Sequence, residues 1–211
     1  GGGGDGESPP TASAGVSSAG TPDPLPSLPI VPSIPVVPTE PAPPAVVVPP
    51  PVVPTNPPSS TNLVALTSAT SCGIPGFRES LLARINAARA AGRSCGSQAQ
   101  PAAAALAWND KLFSAAARHS VDMASRNYFS HASPEGVDAA GRTAAEGYGW
   151  SALGENIAAG DVSVDGVMAT WMGSEAHCRN IVNPVFADVA VACVARGGTT
   201  WGTYWTMVLA R

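Results

Sequence analysis

Three short runs in the second half of the chain carry every histidine of the protein. They are His119 to His131 (HS-x-DM-A, then FSH), Gly154 to Ala158 (GENIA), and Trp171 to Ile181 (WM-x-S-x-x-HC-x-NI). In a chain with only 12% charged residues, imidazoles gathered in this way point to a polar site, not to scattered surface chemistry. Two imidazoles and a carboxylate, His131, His177 and Glu155, are the ligand types of a catalytic zinc centre. The same groups could instead form a glutamate-oriented histidine base that activates water. The spacing is not HExxH, and the three groups come from separate segments, so the metal reading rests on residue types alone. No GxSxG elbow is present, which disfavours serine hydrolysis.

The groups differ in setting. His119 lies on an apolar stripe with Leu112, Ala116 and Met123, the position of a buried, hydrogen-bonded histidine. His131 falls just past that helix and before a polar turn, well placed to project into a cleft. Gly154-Glu155-Asn156 reads as a small uncharged loop. A carboxylate there must find donors, either an imidazole or backbone N–H groups, because isolated burial of its charge is costly. Ser174 and His177, with Glu175 beside them, are expected on the exposed side of a short helical turn, with Trp171 in the core. Trp150, Trp201 and Trp205 could stack on sugars or equally fill the core.

Periodicity predicts the elements that must hold these residues. A helix runs over Phe77 to Ala91, with Leu81, Leu82, Ile85 and Ala88 on one face and Gly92 as its stop. A second begins at an Asn109 or Asp110 cap and reaches about Arg126. A short helix comes next over Ala139 to Gly147, another starts near Ser163, and a helical turn spans Glu175 to Ile181. Two strands, Asp188 to Arg196 and Thr203 to Ala210, close the chain around a Gly197-Gly198 turn. Helices succeeded by a late hairpin indicate an α+β layered fold, not a parallel Rossmann-type sheet.

Composition divides the chain. Of 22 prolines, 18 precede residue 60. The first 71 residues hold four acids and no lysine or arginine, whereas residues 72–211 hold eleven of each sign, so the net charge of −4 belongs to the N-terminal part. Residues 1–71 read as a disordered Gly/Ser- and Pro-rich tether with polyproline II spacing, a spacer in preference to a PxxP ligand. Residues 72–211 are the right size for one domain. Their neutrality gives no reason to expect nucleic acid. No run is apolar enough to span a membrane. The start, GGGGDGESPP, looks like the stretch directly after the lipid-modified cysteine of many bacterial lipoproteins; a plain flexible terminus or an expression scar is the alternative. Cys72, Cys95, Cys178 and Cys193 contain no CxxC pair and read as two disulfides in an oxidising compartment. Of three connectivities, Cys72–Cys95 with Cys178–Cys193 is expected because each closes a short loop, contributing about 3 kcal/mol.

The segment from Phe77 to Ala210 resembles the CAP superfamily (cysteine-rich secretory, antigen five and pathogenesis-related proteins), most closely its bacterial SCP-like extracellular branch. The resemblance is carried by Leu81 to Arg89, Leu106 to Leu112, His119-Ser120, Asp122 to Ala124, Phe129 to His131, Gly154 to Ala158, Trp171-Met172, Ser174, His177, Asn180-Ile181 and Tyr204 to Thr206. It implies a three-layer α–β–α sandwich with a small antiparallel sheet and a surface cleft. It places His131 and Glu155 at two positions of the family's histidine and glutamate tetrad. Ser174, with Glu175 one residue late, stands at the second glutamate, and Tyr204 at the second histidine, whose space His177 is expected to fill. Family membership does not settle activity; the tether, the two disulfides, the neutral domain and the lack of a recognisable nucleophile lead us to expect an extracytoplasmic monomer that binds an envelope, lipid or protein ligand without established catalysis. The alternatives are a metal-assisted hydrolase, with zinc or another divalent ion on His131, His177 and Glu155, and a lipid or sterol carrier.

Overall fold

The computed structural model describes residues 62–211; the tether, its polyproline II spacing and the lipid-anchor reading lie outside the described residues. The elements run α1 (Phe77–Ala90), β1 (Arg93–Cys95), β2 (Gln98–Gln100), β3 (Ala107–Trp108), α2 (Asp110–Arg126), α3 (Ala139–Ala145), β4 (Leu153–Ala159), α4 (Val164–Met172), α5 (Glu175–Val182), β5 (Asp188–Ala195) and β6 (Thr203–Ala210). Residues 62–71 also lie against the domain, for the Val64 N–H donates to Ser114 Oγ (2.8 Å) and Arg118 donates to the Asn62 carbonyl (2.8 Å).

Strand order in the main sheet is β3-β5-β6-β4, antiparallel except for the short parallel contact of β3 with β5; β1 and β2 form a separate hairpin. Strand alternation sends side chains to two faces. Ala190, Ala192, Val208 and Ala210 meet Leu112, Phe113, Ala116 and Ala117 of α2. Val189, Val191, Trp205, Met207 and Leu209 meet α1, α4 and α5 through Leu81, Ile85, Trp171 and Ile181. The result is the three-layer α–β–α sandwich that the sequence leads one to expect. Small residues on the α2 side let that helix approach the sheet closely.

Local chemistry sets the helix starts. Asn109 Oδ1 accepts from the N–H groups of Lys111 and Leu112, Asp138 from Gly141, and Ser163 from Gly166. Helix α2 stops at Asn127, whose left-handed φ of 53° releases the chain toward His131. Asn127 Oδ1 then accepts from the Tyr204 hydroxyl and the Thr200 N–H. Arg89, fully buried, donates to the carbonyls of Ala104, Ile181 and Asn183 and so fastens α1 to the end of α5.

Two expectations are corrected here. The GENIA run is no loop: residues 153–159 form the edge strand β4, paired along its length with β6. Gly154 is needed there because a Cβ would lie 2.9 Å from Phe186 Cζ. The disulfides join Cys72 to Cys193 and Cys95 to Cys178, not sequence neighbours. Short loops are favoured in an unfolded chain, but the native fold decides. Strand β5 runs beside residues 70–72, with Cys72 N–H donating to the Cys193 carbonyl (3.0 Å) and Cys193 N–H to that of Thr70 (2.9 Å). Helix α5 likewise rests on the β1-β2 hairpin, which brings Cys178 to Cys95 with Cα atoms 5.6 Å apart.

Candidate functional site

Strand β4 is the sheet edge, and the site is built around it. Its outward carbonyls are capped from the α4–α5 side. Trp171 Nε1 donates to Ile157 O (3.1 Å), and Asn180 Nδ2 donates to Glu155 O (3.3 Å) and Asn156 Oδ1 (2.9 Å). Asn156 in turn donates to the His177 carbonyl (3.1 Å). Much of the third motif thus acts as a clamp that seats α5 on the edge strand.

Glu155 pairs with Val208 and therefore faces the α2 side. Its carboxylate is buried, with Oε1 2.8 Å from His131 Nδ1 and Oε2 accepting from Arg142 of α3 at 2.7 Å. Arg142 also donates to the carbonyls of His131 (2.9 Å) and Val137 (2.8 Å), which ties down the loop between α2 and α3. Burial works against charge on Glu155, yet the His131 hydrogen bond and the Arg142 charge hold its carboxyl below the usual range. It is therefore an acceptor, and His131 Nδ1–H donates to it. In the neutral ring Nε2 then carries the lone pair.

His119, on α2, stands behind this pair. It is buried, its Nε2 lies 2.8 Å from the Ser130 carbonyl, and its edge meets Tyr128. Burial lowers it to about 4, opposed by the charge of Glu155. His177, on α5, is fully buried, which corrects the expectation of an exposed ring. The fastening of α5 by the Cys95–Cys178 bond and by Arg89 turns this face inward. Burial lowers His177 to about 4, with the charge of His131 as the second cause, so the two rings lie within each other's field. Four buried imidazole nitrogens are left without a protein partner: His131 Nε2, His119 Nδ1, and both of His177.

The other candidates sit elsewhere. Ser174 is the half-buried N-cap of α5, and Glu175 is exposed and pairs with Arg179 at 3.6 Å. Tyr204 is buried opposite Ala159, four residues along β4 from Glu155 or roughly 13 Å at the usual rise per residue. Trp150 and Trp205 are core; Trp201 is half-buried against Phe129 and Tyr204. Sequence reasoning missed Arg142. Its signal was present, since it is the only lysine or arginine between Arg126 and Arg179, a stretch rich in acids.

These residues do not fit a three-ligand metal centre. Glu155 commits both oxygens to Arg142 and His131, leaving two imidazoles where a catalytic zinc site uses three protein ligands. Among the described residues no three His, Cys, Asp or Glu side chains are arranged to hold a metal ion. The arrangement instead fixes one imidazole on a buried carboxylate, within electrostatic range of a second, neutral ring. Glu155→Gln is expected to cost about 3 kcal/mol in stability, because Arg142 would be left buried without its carboxylate. The urea midpoint measures it, and a loss of this size with ligand binding intact would mark the network as a brace between layers.

Several known proteins are similar to this chain. YkwD of Bacillus subtilis (strain 168), an uncharacterized protein, is 38% identical over 93 residues, covering 44% of this chain and 36% of YkwD. A solved extracellular protein containing an SCP domain from Bacillus anthracis str. Ames superposes with a TM-score of 0.50 at 26% identity, over 70% of this chain and 45% of that one. An outer surface protein of Borrelia burgdorferi gives a TM-score of 0.49 at 15% identity, over 63% of this chain and 90% of that one. The chain thus spans less than half the length of the two Bacillus proteins. The model of the cysteine-rich secretory protein family, CAP, matches residues 82–209, well over half of the chain, and the chain belongs to that family.

Proposed function

We propose that this CAP domain is a non-catalytic binding module outside the cytoplasm, held off the cell envelope by its proline-rich N-terminal part, with the cleft at His131, Glu155 and His177 as its ligand site. The observation that carries the reading is the set of unpartnered ring nitrogens, His131 Nε2 and both of His177, beside a charge pair that is already internally neutral. A buried polar atom without a partner costs about 1–3 kcal/mol, so such a site favours an incoming group that hydrogen-bonds to it. No cysteine nucleophile accompanies the imidazoles, for all four cysteines are in disulfides. Those disulfides support an oxidising, extracytoplasmic setting.

The test uses the pure full chain and insoluble peptidoglycan as an envelope polymer. Saturable cosedimentation that is lost in a His131→Ala/His177→Ala variant, with no soluble fragments released, is the expected result. Steady release of fragments that depends on His131 would overturn the reading in favour of hydrolysis.

A further inference from the structure

Arg142 does more than close a loop. It meets a buried carboxylate whose other partner is a histidine, and the three groups must balance charge in a place largely shut off from water. The guanidinium is always protonated. While it sits 2.7 Å from Glu155 Oε2, one positive and one negative charge already cancel, and His131 meets the other carboxylate oxygen through Nδ1. His119 also acts on Glu155 through its charge, but its Nε2 is already turned to the Ser130 carbonyl.

We propose that Arg142 is a positioning residue that determines which nitrogen of His131 carries the proton, and so makes Nε2 a hydrogen-bond acceptor toward the cleft. Without the guanidinium, the buried carboxylate has two routes to neutrality. A proton can be added to His131, making it an imidazolium. Alternatively Glu155 takes the proton and donates to Nδ1, and the ring proton moves to Nε2. Both routes place a proton on Nε2. The face offered to a ligand changes from acceptor to donor, with no residue in the cleft itself replaced. The native pattern selects ligands bearing an N–H or O–H at that point, an inference that rests on the binding reading above, whereas the protonation pattern itself does not.

The experiment is therefore made without ligand. In the full chain labelled with ¹⁵N, the imidazole nitrogens of His131 are recorded at neutral pH in the native protein, in Arg142→Met and in Arg142→Lys. The native ring is expected to show a protonated Nδ1 and a bare Nε2. Arg142→Met should move Nε2 to the protonated region, and Arg142→Lys, which restores the charge, should return most of the signal to the bare position. A bare Nε2 in Arg142→Met would overturn the assignment. So would a protonated Nε2 in the native protein, a result that needs no variant to fold. Loss of peptidoglycan binding has no bearing on these spectra, so failure of the function and failure of the positioning role are distinguishable.

Discussion

Acidification from neutral pH to about 4 is expected to remove about 3 kcal/mol of folding stability for each of His119 and His177. Both rings are buried, and burial is the first cause that lowers each from 6.5 to about 4. Between those values the unfolded chain holds these rings protonated while the folded chain holds them neutral. The unfolded state thus binds more protons, and stability falls as pH falls through that window. Glu155 acts in the same direction but lower. Its folded carboxyl is held below 4.5, so the stability it contributes is present above that value and is lost only as pH drops through the lowered one. The two effects separate by variant. Urea titrations at a series of pH values should show the slope above 4.5 roughly halved in His177→Asn or in His119→Asn, with the Glu155 limb unchanged. A slope in both variants equal to that of the native chain would show that neither ring carries the effect.

The split between what was legible and what was not reflects the range of the interactions. Helix α2 could be read because its cap, Asn109, and its stripe, Leu112, Ala116, His119 and Met123, are local features. The β5–β6 hairpin likewise alternates around a glycine turn. Strand β4 gave no such signal. Glycine, glutamate and asparagine are poor strand formers, and they lie in the strand only because Phe186 needs the space at 154 while Arg142, His131 and Asn180 satisfy the polar groups. Each of those partners is distant in sequence, and no window of the chain contains them together. His177 was misjudged for the same reason, since its burial depends on Cys95 and Arg89 fastening α5. Of the site, His131 and Glu155 were legible as candidates and their pairing as one of two readings, whereas Arg142 was overlooked although it is the one lysine or arginine between Arg126 and Arg179.

The disulfides offer the last test, because their connectivity couples fold to site. Replacing either pair with alanines is expected to cost about 5 kcal/mol, since each closes a loop of 121 or 83 residues, and loop length enters only logarithmically. Stability alone therefore does not separate the two bonds, but their places do. Cys72–Cys193 joins the chain before α1 to a central strand, whose other neighbours hold it regardless. Cys95–Cys178 anchors the helix that carries His177, through the residue next to it. Cys95→Ala/Cys178→Ala should shift the His177 ring signals and raise its protonation midpoint as water gains access. Cys72→Ala/Cys193→Ala should leave both unchanged under conditions where the protein remains folded. If the two variants perturb His177 equally, the Cys95–Cys178 bond has no special hold on that ring, whose burial must then come from core packing and the Arg89 contacts alone.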